Sequence, residues 1–205
     1  MSHILMRAEL DDVVCSGARR GKQFTYALLD ERVPQTRVWP RDEALAELTR
    51  RYFTSHGPAQ VQDFVWWSGL TAADARAGLE MARRHLAQDL IDGKTYWFSS
   101  SVHAIKKKSR VAYLLPLYDE YLIAYKDRTA AVDPARWTRV TSRDPYSSPI
   151  VLDGLVVGGW KAALKQDVCL IALNPFRPLN RTDAQAVAEA AHRYGAFLGL
   201  DVVFA

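Results

Sequence analysis

The chain has 205 residues, enough for one large buried core or two small ones. Apolar residues make up 49% and charged residues 24%, which excludes a disordered or fibrous chain, and no apolar run reaches the roughly 20 residues of a membrane-spanning helix. The net charge of +4 permits a nucleic-acid partner without requiring one, so the placement of the cations decides.

Met1 to Leu10 has a helical pattern with Ile4, Leu5 and Ala8 on one side. Val13-Val14-Cys15 and Phe24 to Leu29 are β-prone runs around a basic turn bracketed by glycines, which predicts a hairpin. A helix followed by a hairpin is the second half of a winged helix. Gly17 to Gly21, followed by Lys22, is not a phosphate loop. That motif needs four residues between its glycines and Ser or Thr after its Lys, whereas here three separate the glycines and Gln23 follows. Cys15 and Cys169 have no Cys or His at metal-ligand spacing, so two free thiols and no metal site are expected, in a reducing compartment.

Pro34 to Pro40 reads as a linker. Asp42 is placed to cap a helix running to about Ser55, with Leu45, Leu48 and Tyr52 as its apolar stripe and Gly57 as its stop. From His56 to Leu90 the chain has the outline of a helix-turn-helix. Gln60 to Trp67 is the short first helix, Ser68-Gly69-Leu70 the turn, and Thr71 caps a second helix to about Leu86. Ala75, Leu79, Ala82 and Leu86 recur at spacings of four and three and face inward, with Arg76, Glu80, Arg83 and Arg84 largely on the other side. Asp92-Gly93 between Leu90-Ile91 and Tyr96-Trp97-Phe98 is a hairpin signal, and it completes a winged helix. Trp66 and Trp67 read as core.

Ser99 to Lys108 is polar and basic, a domain boundary. Val111 to Leu115 is a strand ending at Pro116. Ile150 to Leu152, Asp153-Gly154 and Leu155 to Val157 form a hairpin, and Asp167 to Leu173 is a third β-run. Thr182 and Gln185 make a capping box for a helix to Leu198, with Val187, Ala191, Tyr194 and Phe197 or Leu198 facing in. Gly199 ends that helix, and a final strand follows. The predicted class is α+β. Residues 1–37 are half of a winged helix and 41–100 a winged helix. Residues 110–205 are an antiparallel, barrel-like β domain with one covering helix.

Three groups of cations are candidates for contact with nucleic-acid phosphates, the first also reaching a groove and the second also base edges: Arg19, Arg20 and Lys22 at the first hairpin's tip; Arg76, Arg83 and Arg84 on the second helix of the helix-turn-helix; and Lys106, Lys107 and Lys108 in the boundary segment. A solvated helix face with Arg76 and Glu80 paired is the bland alternative for the second group. The neighbouring carboxylates Asp119 and Glu120 could position a hydrolytic water. Adjacent residues on an extended loop point apart, however, which argues against an acid–base pair.

Five stretches carry a family resemblance: AELDDVVCSGARRGKQFTYALLDERVP, RYFTSHGPAQVQDFVWWSGLTAADAR, YLLPLYDEYLIAYKDR, DGLVVGGW and AAHRYGAFLGL. They resemble the winged-helix family that includes the AlkZ and YcaQ interstrand-crosslink DNA glycosylases. The resemblance implies tandem winged helices and a C-terminal β-barrel-like domain. It also implies duplex DNA as the partner, no cofactor, and a cytoplasmic, nucleoid-associated protein. It places a Gln-apolar-Gln or Gln-apolar-Asp catalytic motif in a winged helix N-terminal to residue 1, so the chain reads as the C-terminal portion or a naturally short form. Gln60-Val61-Gln62 has the letters of that motif but falls in the later winged helix. Gln60, Gln62, Asp119 and Glu120 are therefore the candidate catalytic residues, none of them assigned. The loop bearing Tyr118 and Arg128 is expected to line a DNA-facing cleft, with Asp127 and Arg128 paired. Lys161 stands where relatives often carry a further basic residue beside it. The expected function is DNA binding related to removal of alkylated or crosslinked bases. The alternatives are a non-catalytic regulator and a scaffold fragment, and a homodimer completing the first half winged helix is a candidate assembly.

Overall fold

The computed structural model describes residues 2–21, 23–33, 38–101, 110–136, 138 and 147–205. Lys22 and Lys106 to Lys108, all expected at phosphates, lie outside the described residues. The chain divides into two compact units, Met1–Glu43 and Ala44–Ala205.

The first unit contains helix α1 (Ser2–Leu10), a hairpin of β1 (Val14–Ser16) and β2 (Tyr26–Leu28), and the one-turn helix α2 (Leu29–Arg32). The expected hairpin pairs Val14 with Leu28 and Ser16 with Tyr26. At its tip Arg20 and Gln23 exchange backbone hydrogen bonds of 3.2 and 3.1 Å around Gly21, whose φ of +61° suits glycine. Leu5 and Ala8 are half-buried, but Ile4, expected beside them, is 74% exposed. None of the described residues from 2 to 43 is buried.

Helix α3 (Arg41–Ser55), most of which lies in the second unit, starts two residues earlier than a cap at Asp42 would place it. Asp42 is therefore not its cap but lies with Glu43 in the first turn, where carboxylates suit the helix dipole. Its buried face is Leu45, Thr49, Tyr52 and Phe53, and Leu48 stands at the rim. Gly57 is needed for close approach: a Cβ there would collide with the Phe53 carbonyl and the Phe98 backbone. Helix α4 (Val61–Ser68) ends at Gly69, left-handed at φ +69°, the expected turn. Helix α5 (Ala72–Ala82) is capped by Thr71, whose Oγ1 accepts the Asp74 N–H at 3.1 Å.

This helix stops at Ala82, not near Leu86. Arg83–His85 make a 3₁₀ turn, and Leu86 opens strand β3 (Leu86–Ile91), paired with β4 (Lys94–Ser99) from Leu86↔Ser99 to Ile91↔Lys94. Six cross-strand pairs outweigh continued helical periodicity there. Asp92 and Gly93 both have positive φ, the hairpin turn that their sequence predicts. Ala59 and Trp97 exchange backbone hydrogen bonds of 3.0 and 2.8 Å, which brings the start of α4 alongside β4. Tyr52, Phe53, Phe64, Leu79, Leu86 and Trp97 form the core of this part.

The remainder is a five-stranded sheet in the order β5 (Ala112–Leu114), β6 (Ser148–Leu152), β7 (Leu155–Lys165), β8 (Val168–Pro175), β9 (Asp201–Phe204). The short helix α6 (Glu120–Ile123) follows β5, and α7 (Arg181–Leu198) links β8 to β9. Strands β5 to β8 are antiparallel, but β9 runs parallel to β8, which corrects the all-antiparallel expectation. The crossover through an 18-residue helix returns the chain in the same direction. The cap of α7 is Asn180, not Thr182: its side-chain oxygen accepts the Asp183 N–H at 2.9 Å, and Thr182 already lies inside the first turn. Ala186, Val187, Ala190 and Ala191 bury the helix against Ile150, Trp160, Cys169 and Ile171, and Gly195 lies close to Leu200 and Val202. Leu198 packs inward and Phe197 is 84% exposed, which settles the choice between them. Both cysteines are free, Cys169 buried and Cys15 half-buried.

Ile171 is fully buried beneath α7. Ile171→Ala is expected to cost about 2–5 kcal/mol in urea denaturation, and Phe197→Ala less than about 0.5 kcal/mol. Comparable losses would refute the assigned helix face.

Candidate nucleic-acid interface

The polar centre of the second unit is Asp63, in the first turn of α4. Its side chain is 3% exposed, a costly place for a carboxylate without donors. Oδ2 accepts the Gln60 N–H at 2.9 Å, and Oδ1 accepts the N–H groups of Lys126 and Asp127 at 2.9 and 3.3 Å. One carboxylate thus ties the start of α4 to the loop after α6. Sequence reasoning passed over Asp63. The only local signal was an acidic residue three positions after a polar cap.

Aromatic side chains reinforce that tie. The Tyr52 hydroxyl donates to Ala124 O, Tyr125 to His56 O, and the indoles of Trp66 and Trp67 to Ile123 O and Glu120 Oε2. Trp66 and Trp67 are 55% and 36% exposed, so they are not the core residues expected. His56 stacks on Tyr52 at 4.8 Å, with Nε2 3.2 Å from Glu120 Oε2 and Nδ1 2.8 Å from Ser55 Oγ. Burial, helped by Asp63, pushes the Tyr52 hydroxyl well above the ordinary phenol range and raises that of Tyr125, so both remain neutral donors.

The candidate catalytic residues fall into this neighbourhood in different roles. Gln60 is the residue before α4 and is half-buried, whereas Gln62 is exposed on its first turn. Asp119 caps α6, accepting the Tyr121 N–H at 2.9 Å, and Glu120 takes the Trp67 and His56 contacts. Asp127 pairs with Lys94 at 2.7 Å rather than with Arg128, its sequence neighbour. The Lys94 ammonium, with the Thr129 hydroxyl, holds the Asp127 carboxyl well below the usual range. Arg128, half-buried, donates Nε to Tyr125 O at 3.2 Å. Tyr118 is 76% exposed.

The described cations expected at phosphates are exposed. Arg19 and Arg20 flank the first hairpin's turn, with Arg19 over the Phe24 ring at 4.6 Å. Arg76 is on α5. Arg83 and Arg84 lie in the 3₁₀ turn rather than on a helix, because α5 ends early. Glu80 takes Arg83, at 3.3 Å, and not Arg76. Arg84 donates to His85 Nε2 at 2.9 Å. Lys161 is exposed on β7. Among the described residues there is no group of three or more His, Cys, Asp or Glu placed to hold a metal, and no helix long and apolar enough to cross a membrane.

The family described as DNA glycosylase AlkZ-like matches residues 1–197. Among solved structures, the Streptomyces sahachiroi DNA glycosylase AlkZ is similar in fold. It has a TM-score of 0.71 at 23% identity, over 95% of this chain and 55% of that one. The chain therefore spans about half the length of that protein. No curated protein matches it.

Asp63→Asn would turn an NH₂ toward at least one of the three backbone donors and leave it unpaired. A loss of about 1–3 kcal/mol in urea denaturation is expected, and an unchanged midpoint would show that the tie is not structural.

Proposed function

The chain belongs to the DNA glycosylase AlkZ-like family, and from that membership we propose that it acts in glycosylase-related DNA repair by holding duplex DNA through its phosphate backbone. In this proposal residues 41–100, with α3, α4, α5 and the β3–β4 hairpin, are a winged helix. Residues 1–37 are the second half of another, and 110–205 are the β domain. The observation that carries it is the exposed Arg76 on α5, at the edge of the face that buries Ala75 and Leu79. Arg19 and Arg20 at the first hairpin's turn, Arg84 and Lys161 supply further backbone contacts, as do Lys22 and Lys106 to Lys108, assigned from the sequence alone. Arg83, already engaged by Glu80 and lying 5.7 Å over Trp97, contributes less. Tyr118 adds an exposed ring.

A non-catalytic binder is favoured over a hydrolase for these residues by one observation. The carboxylates of Asp119 and Glu120 are occupied in capping α6 and in holding Trp67 and His56.

Duplex affinity measured over a salt series tests the proposal. The logarithm of the binding constant should fall linearly with that of salt, and Arg19→Ala with Arg20→Ala should reduce the slope by about 2. A flat series ends it. Exposed apolar side chains in the first unit, Ile4 and Phe24 among them at 74% each, favour a second copy completing the half winged helix. Light scattering should then show a dimer that Ile4→Glu converts to monomer; a monomer at every concentration rules the dimer out.

A further inference from the structure

Beside the first turn of α4 lies a cavity of about 170 Å³ whose walls use none of the exposed cations assigned to phosphates. Tyr96, Tyr121 and Tyr125 line it, with Gln60, Asp63, Asp127 and Arg128. Most of these groups are fixed. Tyr125 donates to His56 O at 2.7 Å and Tyr121 to Gly154 O. Asp63 is held by three backbone N–H groups, and Asp127 by Lys94 and Thr129. Arg128 is anchored through Nε alone. Its terminal amino groups have no acceptor among the described residues.

Size and charge narrow the occupant. Pockets for drug-sized ligands run to about 300–1,000 Å³, so this one suits a single ring system rather than a nucleotide. Arg128 and Lys94 are balanced by Asp63 and Asp127. An anion drawn to Arg128 would therefore be repelled by the carboxylates in the same wall, a cost that a neutral ring escapes. A guanidinium fork is complementary to two neighbouring acceptors, which a 6-oxopurine presents at O6 and N7. Tyrosine rings supply faces for stacking.

We propose that this cavity binds a 6-oxopurine base of the guanine type, with its O6/N7 edge on Arg128 and its ring against the tyrosines. The base could come from a free nucleoside or from a nucleotide displaced from a duplex. Only the second source rests on the DNA-binding function proposed above.

Intrinsic fluorescence of the full chain, titrated with guanosine, inosine and adenosine, tests it. Guanosine and inosine share the O6/N7 edge and should bind alike, with adenosine at least about ten-fold weaker. Arg128→Lys keeps the charge but loses the fork, and should abolish that preference. Tyr96→Leu should weaken all three nucleosides together, and it keeps the test open if circular dichroism shows that Arg128→Lys does not fold. A duplex with one bulged guanine, compared with a bulged adenine and with a fully paired duplex, separates the sources. Preference for the bulged guanine assigns the base to DNA, and guanosine binding without that preference assigns it to free nucleoside. Equal affinity for the three nucleosides overturns the proposal. So does a guanosine preference that survives both variants, or displacement of guanosine by inorganic phosphate. Backbone binding is read separately on the paired duplex, so its failure would leave the nucleoside result intact.

Discussion

The second unit depends on one buried carboxylate. Asp63 is 3% exposed and carries a charge that an apolar interior would not tolerate unpaired. Its three donors come from two places, Gln60 at the start of α4 and Lys126 and Asp127 more than sixty residues later. Neither segment alone can satisfy it. The helical part and the loop after α6 must dock for either to be stable, and the positive end of the α4 dipole adds to the same attraction. Both segments lie within the compact unit from Ala44 to Ala205.

The aromatic side chains follow from that docking. Tyr52 lies about 5 Å from Phe64 and Trp67 and is stacked on His56. Its hydroxyl, those of its neighbours and the two indole N–H groups all find acceptors on residues 120–125 or on His56. A buried or half-buried aromatic with a polar tip needs such a partner. Here the partner lies outside the helices that carry most of the rings, so the tryptophans of α4 clamp the next segment instead of filling their own core. Tyr125, which lines the small cavity, belongs to the same network through His56 O.

Much of this fold was legible because it is decided locally. Thr71 capping α5, Gly69 and Gly199 ending helices, and the Asp-Gly pairs at 92–93 and 153–154 are fixed by the conformations that those residues favour. The misreadings have three physical sources. At Leu86, strand pairing overrode a helical period. At α7, Asn180 with Asp183 and Thr182 with Gln185 fit the same capping pattern, and the pattern cannot choose between them. Asp63, Lys94 with Asp127, and the tryptophan clamps depend on partners 33 to 64 residues away, which no local pattern reveals. The direction of β9 was within reach, since a strand that follows a strand through a long helix returns parallel.

Gripping a phosphate backbone and reading a base make opposite electrostatic demands. A phosphate contact needs an exposed cation that no carboxylate already neutralises, the reason for proposing Arg76, which is exposed on α5 and has no ion-pair partner among the described residues. A base edge needs directional donors in surroundings that do not draw phosphate into the same space. The neighbourhood of Arg128 meets the second demand: its Nε is fixed to Tyr125 O, two carboxylates share the cavity, and Lys94 keeps one of them neutralised. The carboxylate that holds the helices to the loop therefore also excludes phosphate from the space beside Arg128, so one group serves both the fold and the selectivity of the cavity.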